Sequence, residues 1–189
     1  MEQTIEQIFQ ESIAVKQATV KALKPVIKQA ALVIIDALKN NQRLYFFGNG
    51  GSAADSQHIA AEFIGRFMKE RRSLPAMALT TDSSILTALG NDYTFDIVFA
   101  RQLEGLGRAG DVAFGISTSG NSRNVVEGIK TAKAIGMKTI GLLGCDGGKI
   151  APLCDIALVV PSKVTARIQE SQLCVAHTIG QLAEDALSA

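Results

Sequence analysis

The chain lacks an excess of charge of either sign. Its 19 Lys and Arg against 18 Asp and Glu give a formal net charge of +1 over 189 residues. That balance exerts no strong pull on nucleic acid or on an anionic membrane surface. The densest basic cluster, Lys69, Arg71 and Arg72, is interrupted by Glu70 and reads as a solvated helix end. Cysteine is scarce. Cys145, Cys154 and Cys174 are odd in number, widely spaced and without a C-x-x-C pair, which argues against a disulfide framework or a cysteine zinc site and for a reducing compartment. The opening MEQTIEQIFQES is acidic and amphipathic, not basic then apolar, so it is not a secretory signal. The longest apolar stretches, such as AALVIIDAL, stop well short of a membrane span. Internal repeats, low-complexity tracts and linkers are also missing. These absences predict a soluble, cytoplasmic chain with residues 1–189 forming one domain.

What is present is a large apolar complement, 47% of residues, enough for a sizeable core. Ile5, Ile8, Phe9, Ile13, Val20 and Leu23 recur at helical spacing, and Val26 to Leu38 continue the pattern over a wider arc. Pro25 fits the first turn of a second helix, so residues 1–40 are expected to form two helices packed in an oligomer interface. From residue 43 short apolar runs alternate with amphipathic segments. Strands are expected at 43–47, 76–79, 111–116, 138–143 and 156–160. Helices are expected at 53–68, 83–89, 95–106, 124–135 and 165–187. This alternation predicts an α/β three-layer sandwich with a central parallel sheet, preceded by N-terminal helices.

In such sheets ligands bind outside the carboxyl ends of the strands, and two unusual turns fall there. The first is Gly48-Asn49-Gly50-Gly51-Ser52. Its glycines allow close backbone approach, and the helix that follows adds its N-terminal dipole. The second, Ser117-Thr118-Ser119-Gly120-Asn121-Ser122, offers four hydroxyls and an amide in six residues. It can wrap a phosphate with neutral donors. Gly48, Gly50 and Ala53 also fit the dinucleotide pattern G-x-G-x-x-A. The acidic residue after the second strand, Asp82, lies about 30 positions on instead of roughly 20, and the hydroxyl-rich loop has no place in that scheme. The pair of loops favours a sugar phosphate.

Only two histidines occur. His58 follows the first loop, and Glu62 is four residues later on the same helical face, a spacing suited to chelating a metal or to acid–base work. His177 lies on the last helix, eight residues after Gln169 and on roughly the same side. Spacing alone does not bring the two helices together.

Four segments carry a resemblance that supplies the link: GNGGSAADSQHIAAEFIGRF (48–67), LTTDSSILTALGNDY (79–93), GDVAFGISTSGNS (110–122) and RIQESQLCVAH (167–177). Through them nearly the whole chain resembles the sugar isomerase (SIS) domain family, and within it the phosphoheptose isomerases. The resemblance implies the SIS fold, a homotetramer built around N-terminal helices, and one zinc ion per subunit at His58, Glu62, Gln169 and His177. It implies Glu62 and His177 as catalytic base and acid. It implies substrate contacts from Asn49, Gly50, Gly51, Ser52, Glu62, Arg66, Asn91, Asp92, Ser117, Thr118, Ser119, Ser122 and Gln169. The implied reaction converts D-sedoheptulose 7-phosphate to D-glycero-D-manno-heptose 7-phosphate, for ADP-heptose and lipopolysaccharide core biosynthesis. A non-enzymatic relative that binds the bacterial replication initiator is the alternative, carried by IFQESI near the start and NSRNVV after the second loop. That relative lacks the full metal and acid–base set, which is complete here. A sugar-phosphate-sensing regulator would need a DNA-binding motif, and none accompanies the domain. Gln172 stands where several isomerases carry a further histidine, and Ala166 where some carry an aspartate. Both departures bear on substrate positioning.

Overall fold

The structure, a computed structural model, describes residues 1–188. Five strands, β1 (Leu44–Phe47), β2 (Ala76–Ala78), β3 (Val112–Ser117), β4 (Lys138–Leu143) and β5 (Ile156–Val159), form one parallel sheet in the order β2-β1-β3-β4-β5. The register sets Leu44 beside both Ala76 and Val112, Val112 beside Lys138, and Ile140 beside Ile156. Every residue of β1 and β3 is buried, as both faces of a covered parallel sheet demand.

Three helices cover one face: α1 (Glu2–Lys39), α2 (Gly51–Ile64) and α6 (Thr165–Leu187). The other face carries α3 (Ser83–Asp92), α4 (Val98–Leu106) and α5 (Arg123–Ile135). Alternate strand residues feed the two cores. Phe46 packs on Phe63 and Phe114, with ring centroids 5.9 and 5.3 Å away. Its neighbour Phe47 meets Phe99 on the opposite face at 5.3 Å. No helix among the described residues is long and apolar enough to cross a membrane.

The three-layer α/β fold is the expected one, with two local differences. Residues 2–39 form a single helix with Pro25 inside it, not two helices. Interior proline costs about 3 kcal/mol or more. Leu23, Ile27, Ile34 and Leu38 form a buried stripe that runs straight past it, and each such side chain contributes about 1.5–3 kcal/mol. Pro25 faces solvent, so the carbonyl that loses its helical partner can turn to water. The second difference is that α2 stops at Ile64, not near residue 68, because the chain turns away at Gly65 to meet α6.

β1 is followed by β2 on one side and flanked by β3 on the other. The chain therefore reverses its direction of travel across the sheet between β1 and β3. The crevice outside their carboxyl ends is where such sheets bind ligands, and it lies between the two donor-rich loops.

Candidate active site

The first loop leaves β1 and enters α2 through Gly50, whose φ of 55° lies in the left-handed region that glycine adopts without a steric penalty. Gly51 faces α6: a β-carbon there would collide with the Gln169 amide. The second loop leaves β3. Ser117 Oγ lies 3.1 Å from Ser122 Oγ, and Ser119 Oγ accepts from the Asn121 N–H at 3.1 Å. Gly120 has a φ of 66°, and a β-carbon there would strike the backbone of Gly147. The loops are joined by a reciprocal amide pair. Asn49 and Asn124 each donate Nδ2–H to the other's Oδ1, both at 2.8 Å. Asn124 is buried in the first turn of α5. Sequence reading missed it, although it stands two residues beyond the hydroxyl loop.

Helices α2 and α6 run side by side on the same sheet face. Gly51 meets Gln169, and two turns further His58 meets His177. The His58 and His177 Nε2 atoms are 2.9 Å apart, and His58 Nε2 is 3.5 Å from Glu62 Oε1. One ligand atom from each of the three residues lies within 4.8 Å of the others. His58 and His177 thus meet inside one chain, so the trio needs no second copy. The ring of Phe67 lies over His177, centroid to centroid 5.4 Å. Asp55, one turn before His58, is half-buried. Burial pushes its carboxyl up from the ordinary value, and the nearby His58 and His177 work the other way.

The trio fits a metal ion by its donor chemistry. Two imidazole nitrogens and a carboxylate are a ligand set of catalytic zinc sites, which keep a fourth position open. With zinc–ligand bonds of about 2.0–2.1 Å, the edge of a tetrahedron is about 3.3 Å. The observed 2.9 and 3.5 Å bracket that edge.

Other expected residues are placed differently. Gln169 sits with the first loop, its amide over Gly51. Asn91 and Asp92 are exposed at the end of α3 and hydrogen-bond to each other at 2.8 Å. Asp96, just beyond, pairs with Arg123 at 3.7 Å, which sets this turn beside the second loop. Arg66 is exposed after α2 and pairs with Glu70 at 3.5 Å. Gln172 is buried and donates to the Leu142 carbonyl at 2.9 Å, so it serves the sheet.

Residues 7–144 match the SIS domain family. The chain is 52% identical over 185 residues to a phosphoheptose isomerase of Aquifex aeolicus, covering 98% of this chain and 97% of that one. It is 58% identical over 159 residues to one from Nitratiruptor sp., covering 84% and 85%. The chain belongs to the phosphoheptose isomerase branch of the SIS domain family. The solved phosphoheptose isomerase of Neisseria gonorrhoeae superposes on this SIS-domain chain with a TM-score of 0.93 at 47% identity, covering 97% of this chain and 98% of that one. The replication-adaptor alternative finds no support among these relatives.

Proposed function

We infer that this chain is an aldose–ketose isomerase that converts D-sedoheptulose 7-phosphate to D-glycero-D-manno-heptose 7-phosphate. The observation that carries the reading is the His58–Glu62–His177 trio, with His58 and Glu62 on the helix that opens at the first donor-rich loop and His177 set against them from α6. A base, an acid and a phosphate cradle therefore share one edge of one sheet.

The substrate's phosphate fits the neutral donors of Ser117, Thr118, Ser119 and Ser122. Asn49, Gly50, Gly51 and Ser52 face the sugar from the first loop, with Gln169 above them. Asn91, Asp92 and Arg66 complete the proposed substrate contacts. Glu62 removes the proton from C1 and returns it to C2, through an ene-diolate. His177 takes the proton from the C1 hydroxyl and delivers it to the C2 oxygen, so the two proton transfers balance. One zinc ion per subunit, held by His58, Glu62 and His177, with the Gln169 amide oxygen as a further ligand once its side chain turns from Gly51 towards them, would polarise the carbonyl and stabilise negative charge on the oxygens. The product would feed ADP-heptose and lipopolysaccharide core synthesis in the cytoplasm. The first turns of α1 expose Ile5, Ile8, Phe9 and Ile13 at 51, 44, 65 and 46%, an apolar stripe that supports the homotetramer.

The test is an isomerase assay on purified protein before and after a chelator, with Glu62→Gln beside it. Wild type is expected to form the aldose, to lose activity with the chelator and to regain it with zinc. Glu62→Gln is expected to keep the fold and lose roughly 10²–10⁴-fold in kcat. Absence of aldose product from metal-replete wild type rejects the reading.

A further inference from the structure

Behind the trio lies a buried ion pair that the reaction does not itself use. Arg71 and Glu184 have side chains only 3% and 1% exposed, with Arg71 Nε 3.1 Å from Glu184 Oε1. Arg71 also closes the end of α2. Its Nη2 donates to the Glu62 carbonyl at 2.7 Å, and its Nη1 to the carbonyls of Phe63 at 2.9 Å and Gly65 at 3.1 Å. These are carbonyls a helix end leaves without intrahelical partners. Glu184 holds the next stretch of chain. Its Oε1 accepts the Phe67 N–H at 2.9 Å, and its Oε2 accepts those of Met68 at 2.7 Å and Lys69 at 2.9 Å. Burial works to raise the Glu184 carboxyl. The three backbone N–H groups and Arg71 together outweigh it and hold the group below its ordinary value.

Both ends of this arrangement lead to the site. Arg71 grips the backbone of Glu62 itself, whose carboxylate is 3.5 Å from His58. Glu184 grips the N–H of Phe67, whose ring lies on His177. Glu184 and His177 are seven residues apart on α6, two turns and so one face. An apolar contact could hold α2 against α6 about as strongly as a buried ion pair does. It could not fix the direction in which the three backbone N–H groups on the carboxylate point. A displacement of about 1 Å between reacting groups can cost roughly 100-fold in rate.

We propose that Arg71 and Glu184 are positioning residues: their buried pair locks the end of α2 and the Phe67 turn onto α6, which holds Glu62 and the Phe67 ring in register with His177. This rests on the assignment of Glu62 and His177 as base and acid.

Glu184→Gln is the first test. Every group facing the carboxylate is a donor, and an amide offers a single acceptor oxygen, so part of the cluster must open. The expected result is a fall in kcat of about 10- to 100-fold with KM within about twofold. The histidine resonances should move as well, and with only two histidines in the chain the His177 ring signals are readily assigned. Phe67→Leu removes the ring and leaves the ion pair. It is expected to shift the His177 signals and lower kcat while the thermal midpoint stays near that of wild type. The double variant should be little worse than Glu184→Gln, because both act through one contact. If Glu184→Gln lowers only the thermal midpoint, or if Phe67→Leu leaves kcat and the His177 resonances at wild-type values, the proposal is overturned. Should Glu184→Gln fail to fold, Phe67→Leu decides alone. A wild type without isomerase activity would reject the base and acid assignment, and the histidine spectra would still judge the positioning.

Discussion

The two ends of the crevice are built from different chemistry. The end between β1 and β3 is lined by hydroxyls, amides and backbone N–H groups, and the side chains of its two loops carry no charge. The end between α2 and α6 gathers two histidines and two carboxylates, with an ion pair directly behind them. The first end is held by neutral hydrogen bonds, above all the Asn49–Asn124 pair at 2.8 Å. The second is held by charge-assisted ones, 2.7 to 3.1 Å long, a class of bond roughly twice as strong as its neutral counterpart. In the proposed reaction the difference follows from what each end must do. A phosphate brings its own charge and needs donors that do not titrate. Moving a proton needs groups that do titrate, and those need a frame that does not yield when their charge changes.

The comparison can be broken at either end. The largest effect belongs to the titrating end: Glu62→Gln should fall roughly 10²–10⁴-fold in kcat with KM nearly unchanged. Thr118→Val at the neutral end should do the reverse. It removes one hydroxyl, and a hydrogen bond to a charged group contributes about 1.5–3 kcal/mol, or roughly 10- to 100-fold in KM. Steady-state kinetics on the two variants separates the ends, and a kcat effect from Thr118→Val would erase the distinction. Asn124→Ala should cost about 1–3 kcal/mol in urea unfolding, since it leaves the Asn49 amide without its partner, and should raise KM before it touches kcat.

The smallest effect concerns pH. Glu184 is held below its ordinary value in the folded state. The unfolded chain therefore takes up the proton first as pH falls. The stabilisation from this group is complete above the ordinary carboxylate value of about 4.3 and is lost as pH drops through the lower folded value. Acid unfolding of Glu184→Gln should accordingly be shallower than that of wild type below about pH 4. Parallel acid arms would show that the carboxylate has no such role.

Much of the scaffold was legible along the chain. All five strands fall within one or two residues of their apolar runs, because a doubly covered parallel strand must be continuously apolar. The donor loops were legible because their chemistry is local: GNGGS and STSGNS carry their donors in consecutive residues. Pro25 misled the reading of α1, since propensity acts locally and the buried stripe on α6 and the sheet overrides it. Arg71 was read as part of a solvated helix end, but its side chain is buried beyond the end of α2; the one trace of its pairing was the seven-residue spacing from His177 to Glu184. Its partners come from a turn more than 110 residues earlier, and no periodicity reports such a meeting. Phe67 closes the first resembling segment, and nothing in that segment pointed its ring at His177.

The sequence by itself determined the parallel sheet, the two donor-rich loops at its carboxyl edge and, through the four resembling segments, the family. Only the tertiary structure decided that His58 and Glu62 on α2 stand against His177 on α6 within one chain, and that Arg71 and Glu184 lock those helices in register. The physical reason is the range of the interactions. Turn chemistry and hydrophobic alternation act between residues a few positions apart. The two helices are brought together by a core they share with the sheet, and that core exists only once the chain has folded.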